Sequence, residues 1–225
     1  MNLNNEEKLK YLIESYNDFM AIKQIKVGYD NFCYIVYCNK TKKTAIVDPG
    51  FDTHKLLKIL QSNNFDLMYI INTHYHSDHS NENKRIKYAY SKSKLVSSEI
   101  DGEKLGVKVD IYVNDEDQLS MGNINLKFLL TPGHTSGSIC IIVDNEAILT
   151  GDTLFIGDCG RTDLPGGNLI QMYNTLKNKI LNLPDNLIVF PGHDYGDKPY
   201  DSLGNQKKTN RALLANNINE FSKLS

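Results

Sequence analysis

Residues 67–79 read Leu-Met-Tyr-Ile-Ile-Asn-Thr-His-Tyr-His-Ser-Asp-His, and two kinds of chemistry meet in them. The apolar run Leu67–Ile71 is predicted to be a buried strand. It passes straight into Asn72-Thr73-His74, so a polar cluster begins where the strand stops. The chain has six histidines, and His74, His76 and His79 fall within this one short stretch. His74 and His76 are two apart, so in extended or loop backbone they reach the same side. Asp78 and His79 add an oxygen and a nitrogen for a second position. Imidazole nitrogen and carboxylate oxygen are ligands that zinc and ferrous iron accept. A polar loop of solvated histidines is the plainer reading, but it does not explain why the same device recurs further along.

It recurs three times. His134 sits in Thr131-Pro132-Gly133-His134-Thr135, after a predicted strand Ile124–Leu130. Asp152 sits in Thr150-Gly151-Asp152-Thr153, after Ala147–Leu149, and His193 in Pro191-Gly192-His193-Asp194, after Leu187–Phe190. Each follows an apolar strand and a glycine that permits a tight turn. Strand ends that converge on one rim make the edge an active site needs. His54, alone within a predicted helix Thr53–Gln61, reads as an ordinary surface residue.

The remaining chain alternates. Ile22–Val27, Phe32–Tyr37, Thr44–Val47, Lys94–Ser97, Val109–Val113 and Ser138–Val143 read as strands. Residues 81–91, Leu169–Leu181 and Gln206–Phe221 read as helices. This is an α/β pattern, with sheets packed face to face and helices outside. Leu9, Leu12, Ile13 and Tyr16 recur at helical spacing, so residues 1–21 are expected to form a helical extension to a domain over residues 22–225. That helix either packs on the domain or serves a homodimer contact.

Composition narrows the partners. The 225 residues suit one large domain. A net charge of −2 offers no footprint for nucleic acid. No apolar run approaches the roughly 18 residues that cross a bilayer, so no membrane role is expected. The first residues lack an apolar signal core, and Glu6, Glu7 and Glu14 argue against a transit peptide. Cys33, Cys38, Cys140 and Cys159 form no C-x-x-C pair and suit reduced thiols in the cytoplasm. Cys33 and Cys38 lie an odd number of residues apart in one strand and should face opposite ways.

Taken together, Thr-His-Tyr-His-Ser-Asp-His (73–79), Pro-Gly-His-Thr (132–135), Gly-Asp-Thr (151–153), Pro-Gly-His-Asp (191–194) and Val47-Asp48-Pro49-Gly50 resemble the metallo-β-lactamase superfamily. The resemblance implies a four-layer αββα sandwich with a metal site at one edge. One metal position would be held by His74, His76 and His134, the other by Asp78, His79 and His193, with Asp152 bridging. Asp48 resembles the family's buried carboxylate that orients the ligand loop. Two divalent metals are implied, zinc first, with iron or a mixed iron–zinc pair also compatible. Charge arithmetic suits hydrolysis: two divalent cations less Asp78, Asp152 and a bridging hydroxide leave one positive charge for a transition-state oxyanion. Asp78 or Asp152 can accept the proton that attack releases.

Within the superfamily, Thr150-Gly151-Asp152-Thr153-Leu154-Phe155 is similar to glyoxalase II, the hydroxyacylglutathione hydrolases. Cys159-Gly160-Arg161-Thr162-Asp163 instead resembles the persulfide dioxygenases and a group of small glyoxalase II-like hydrolases. The stretch Ser202–Leu213 also resembles those small hydrolases. The favoured reading is a metal-dependent thioesterase acting on a small-molecule thioester. One alternative is a dioxygenase whose single Fe(II) is held by His74, His134 and Asp152. A second is a metal-binding scaffold without catalysis. Arg161, one of three arginines with Arg85 and Arg211, has two readings: a fork for a substrate carboxylate, or an ion pair with Asp163 or Asp194. Tyr195 is expected beside the substrate. Lys207, Lys208 and Arg211 would either grip glutathione carboxylates or form a solvated helix face.

Overall fold

The computed structural model describes residues 20–224 and the backbone of residues 11–15. Its first sheet has seven strands in chain order: β1 (Tyr11–Ser15), β2 (Met20–Val27), β3 (Asn31–Cys38), β4 (Lys43–Val47), β5 (Asp66–Ile71), β6 (Lys94–Ser98) and β7 (Ile111–Val113). The pairs up to β4 are antiparallel, and those from β4 to β7 are parallel. Parallel neighbours need crossovers. These are α1 (Thr53–Ser62), the short α2 (Ser77–Ser80) with α3 (Asn83–Ala89), and α4 (Glu99–Gly102).

The second sheet holds β8 (Gln118–Met121), β9 (Ile124–Leu130), β10 (Ile139–Val143), β11 (Ala147–Gly151), β12 (Ile188–Pro191) and β13 (Asp201–Ser202) in the order β13-β12-β11-β10-β9-β8. Helix α5 (Leu169–Asn178) is the crossover between parallel β11 and β12.

Strand β3 shows why the layers form. Phe32, Tyr34, Val36 and Cys38 face the other sheet and pack in one cluster with Phe128, Ile141 and Phe190. Cys33, Ile35 and Tyr37 face outward and pack with Leu56, Leu60 and Ile86 of α1 and α3. A strand buried on both faces has no polar side to spare, which is why it reads as a continuous apolar run. On the second sheet, Cys140, Ile142 and Ile148 pack outward against Met172 and Leu176 of α5. The result is the expected αββα sandwich, and Cys33 and Cys38 do face opposite ways.

Three expectations need correction. Tyr11–Ser15 is not helical: it pairs antiparallel with β2, Tyr11 opposite Ile25. The open backbone groups along β2 take up a neighbouring strand. Leu9 and Tyr16 lie outside the described residues. The helix expected over Leu169–Leu181 stops at Asn178, and a 3₁₀ turn follows at Ile180–Asn182. The last helix is broken into α6 (Leu203–Thr209), α7 (Arg211–Leu214) and α8 (Ile218–Phe221). Asn210 and Asn217 leave helical geometry and cap the pieces that follow, accepting from Ala212 N at 2.9 Å and Glu220 N at 3.0 Å. No helix among the described residues is long and apolar enough to cross a membrane.

Strands β4, β5, β9, β11 and β12 all end at the same edge of the sandwich, and each is followed by a residue singled out from the sequence.

Candidate metal centre

The loop after β5 is held from within. Asn72 donates to the His79 carbonyl at 2.9 Å, and its own carbonyl oxygen accepts from Asn83 at 2.6 Å. This closes the chain into α2 and sets the ring of His79 4.3 Å from that of His74. Asp48, just past β4, is buried and takes the left-handed backbone conformation at φ 54°. Its carboxylate accepts from Thr73 N at 2.8 Å, Thr73 Oγ1 at 2.6 Å and His79 Nδ1 at 3.1 Å. Thr73 Oγ1 has then given its proton to Asp48, so it accepts from His74 Nδ1 at 3.0 Å. Gly50 lets the two loops touch: a Cβ there would stand 1.6 Å from the Asp78 carbonyl oxygen.

The other histidines are fixed in the same manner. His134 Nδ1 donates to the Arg161 carbonyl at 2.8 Å, and His193 Nδ1 to Asp30 at 3.2 Å. A carbonyl or carboxylate can only accept, so the Nδ1 proton is assigned and Nε2 is left for the centre. His76 is the exception and turns Nδ1 inward, 2.9 Å from His134 Nε2.

Besides the grouping of Asp48 with His74 and His79, in which Asp48 is already taken by Thr73 and His79 Nδ1, two candidate ligand groups remain: His74, His76 and His134, and Asp78, His79 and His193. Within each, the ligand atoms lie within 4.8 Å of one another. In the second, His79 Nε2 is 3.2 Å from His193 Nε2 and 3.4 Å from Asp78 Oδ2. Asp152 lies between the groups, with Oδ1 3.4 Å from His79 Nε2 and Oδ2 3.4 Å from both His134 Nε2 and His193 Nε2. Ligands about 2.0–2.1 Å from a tetrahedral zinc stand roughly 3.3–3.4 Å apart, the separation seen here. Two buried ligand atoms, His74 Nε2 and Asp152 Oδ1, have no hydrogen-bond partner. Orphaned buried polar atoms cost free energy unless something binds them. The donor set therefore fits divalent cations at both positions, and all seven residues read from the sequence meet there. His54 is exposed on α1, outside the centre.

Electrostatics agree. Burial favours neutral His74 and holds its pKa well below the ordinary value. Burial also opposes charge on His79, but Asp152, Asp48 and Asp78 outweigh it and raise that pKa well above the ordinary value. Burial opposes ionisation of Asp152 too, yet the surrounding histidines hold its pKa well below the carboxylate range. Asp78 is held low against burial by His79 and Asn31. The carboxylates thus create a field that calls for positive charge at the centre of the cluster.

A cavity of about 510 Å³ opens over the ligands, walled by Phe155, Ile156, Cys159, Leu164 and Tyr195. The Tyr195 ring stacks on His193 at 4.7 Å, with Phe155 edge-on at 5.1 Å. Burial and nearby acids push the Tyr195 phenol up to about 12, so it keeps its proton at neutral pH. Burial and Asp158 likewise push the Cys159 thiol up to about 12. Arg161 borders the cavity, and its guanidinium makes a two-point pair with Asp163, 2.7 Å at each contact. Asp194 pairs with Lys26 instead. Arg211 is bound by Asp158 and Lys207 by Asp185.

Three residues of the site escaped the sequence reading. Asn31 Nδ2 donates to Asp78 Oδ2 at 2.9 Å, Asp30 anchors His193, and Asp101 is buried behind the first ligand group. Asp30 and Asn31 belong to an ordinary strand start; only folding brings them to the ligands.

The family profile described as the metallo-beta-lactamase superfamily matches residues 28–193, the span that carries both ligand groups. The chain belongs to the metallo-beta-lactamase superfamily. A hydroxyacylglutathione hydrolase of Pelagibacter ubique is 36% identical over 177 residues, which cover 78% of this chain and 72% of that protein. The mouse mitochondrial persulfide dioxygenase ETHE1 is 26% identical over 184 residues, covering 81% of this chain and 71% of that protein. The crystal structure of ETHE1 from Myxococcus xanthus superposes with a TM-score of 0.78 at 25% identity, covering 95% of this chain and 88% of that one. As a superfamily member with both ligand groups intact, the protein is a metal-dependent hydrolase.

Proposed function

We propose that this hydrolase cleaves thioesters, in the manner of the hydroxyacylglutathione hydrolases, with two zinc ions. The position of Asp152, whose Oδ2 lies 3.4 Å from a ligand nitrogen of each group and whose Oδ1 lies 3.4 Å from His79, carries the reading. A single-metal dioxygenase has use for His74, His134 and Asp152 alone, whereas a hydrolytic pair uses all seven ligands. Nitrogen and oxygen donors at tetrahedral spacing suit zinc. Bound cations supply Lewis acidity to the carbonyl oxygen and lower the pKa of a water from about 15.7 toward roughly 7.

The chain's own residues do the rest. Asp78, part-exposed to the cavity, and Asp152 are held ionised and can take the proton that water loses as it adds to the carbonyl carbon. The C–S bond then breaks, and the sulfur leaves as thiolate to be protonated to the thiol. The Tyr195 O–H, protonated up to about pH 12, is available to donate to the substrate at the cavity wall. Phe155, Ile156 and Leu164 give the acyl or thiol arm an apolar surface. The guanidinium that lines the cavity, Arg161, is already bound by a carboxylate. The thiol half therefore need not carry the two carboxylates of glutathione.

The test is a pair of assays on protein whose metals have been counted. Hydrolysis of S-lactoylglutathione or of neutral thiol esters with about two zinc per chain is the expected result. Oxygen uptake with glutathione persulfide at about one iron, without hydrolysis, would replace this reading with the dioxygenase one.

A further inference from the structure

Asp101 is a fully buried carboxylate in α4, the short helix between β6 and β7. Among the described residues it makes no salt bridge; Lys104 acts on it without contact, and burial outweighs this and pushes its carboxyl up from the ordinary carboxylate range. An unpaired buried carboxylate is costly, so its contacts have to account for it. Among the described residues, the hydrogen bonds to the carboxylate come from two loops. Tyr75 N, between His74 and His76, donates to Oδ2 at 3.2 Å. Thr135 Oγ1, next to His134, donates to the same oxygen at 2.6 Å, and Gly137 N donates to Oδ1 at 3.1 Å. The helix start adds a further tie, because Ser98 Oγ donates to the Gly137 carbonyl at 2.5 Å. Gly137 leaves room for this: a Cβ there would stand 2.6 Å from Asp101 Oδ1 and from Ser98 Oγ.

The loop that carries His74 and His76 comes from the first sheet, and the loop that carries His134 comes from the second. One carboxylate therefore ties together, across the two sheets, the three ligands of one metal position. We infer that Asp101 is a positioning residue, which holds the His76 and His134 loops at the separation that the His74, His76 and His134 position needs and leaves the Asp78, His79 and His193 position to other anchors. Asp101 touches no ligand atom and lines no part of the cavity, so its action runs through the loops alone. The inference rests on the two-cation reading above.

The experiment is a titration of the full-length, metal-stripped chain with Zn²⁺ against a competing chromophoric chelator. It compares wild type, Asp101→Asn, His76→Ala and the double variant. Asparagine keeps the shape but sets an NH₂ against a donor. Loss of an outer hydrogen bond of this kind costs about 10–100-fold in metal affinity. Asp101→Asn should weaken one of two equivalents by about that factor and leave the other within about threefold. In the His76→Ala background, where the first position is already lost, Asp101→Asn should add nothing, as residues acting on one site are non-additive. Equal weakening of both equivalents, no weakening, or an undiminished effect in the double variant would overturn the inference. If Asp101→Asn does not fold, Thr135→Val removes the shortest of the bonds and is read by the same criteria. A wild type that binds no zinc sinks the two-cation reading itself; a wild type that binds two with Asp101→Asn unchanged sinks only the positioning role.

Discussion

Two buried carboxylates brace the metal centre, and they do it differently. Asp48 touches ligand side chains: it accepts directly from His79 and reaches His74 through Thr73. Asp101 touches loop backbone and a hydroxyl, and no histidine. A brace made to side chains demands particular residues at particular spacings. A brace made to N–H groups accepts almost any residue in the loop it holds. Asp48 could be singled out in the sequence, and Asp101 could not. The same contrast runs through the outer contacts of the histidines: His193 is held by the Asp30 side chain, His134 by the Arg161 carbonyl.

The largest effect is expected where the two halves join. Asp152→Ala removes the oxygen donors that each ligand group shares, so both metal equivalents should be lost. Turnover should then fall at least about 10³-fold, about 4 kcal/mol of transition-state stabilisation, as read by kcat/KM and elemental analysis. Asp48→Asn comes next. Because Asp48 serves His79 and His74 together, both zinc equivalents should weaken by about 10–100-fold, against one for Asp101→Asn. Weakening of a single equivalent in Asp48→Asn would erase the distinction between the two braces.

Asp30→Ala is milder. It frees Nδ1 of His193 and should weaken only the Asp78, His79 and His193 position, by about tenfold, in the same zinc titration. Arg161→Ala should do least to the metals, since His134 is held by the main-chain oxygen and that oxygen stays. Zinc affinity should not change beyond error. The exposed Arg161–Asp163 pair is of the kind worth about 0–1 kcal/mol, so the denaturant midpoint should barely move. A large loss of zinc in Arg161→Ala would show that the side chain, and not the carbonyl, positions His134.

These contrasts also explain what was legible. His74, His76, His79, His134 and His193 could be read because ligand chemistry restricts residue type and each follows an apolar strand with a glycine nearby. The sandwich could be read because residues 32–38 of β3 and 67–71 of β5 are unbroken apolar runs, packed on both faces. Asp48 was marked by the resemblance of Val47-Asp48-Pro49-Gly50 to the superfamily. Asp30, Asn31 and Asp101 were not legible, because they act only through partners 163, 47 and at most 36 positions away in the chain. The C-terminal helix was misread because Asn210 and Asn217 fit a helical period until their side chains cap the next turn. The first strand was misread because its partner, the edge of β2, is set by the sheet and not by local spacing.

The most direct measurement is the count of zinc bound per chain in wild type, His76→Ala and His193→Ala, by elemental analysis after equilibration with equal free zinc. Two separate positions sharing Asp152 predict two equivalents in wild type and one in each variant. A wild type with one equivalent or none, or variants that both retain two, would contradict a centre built from these seven side chains.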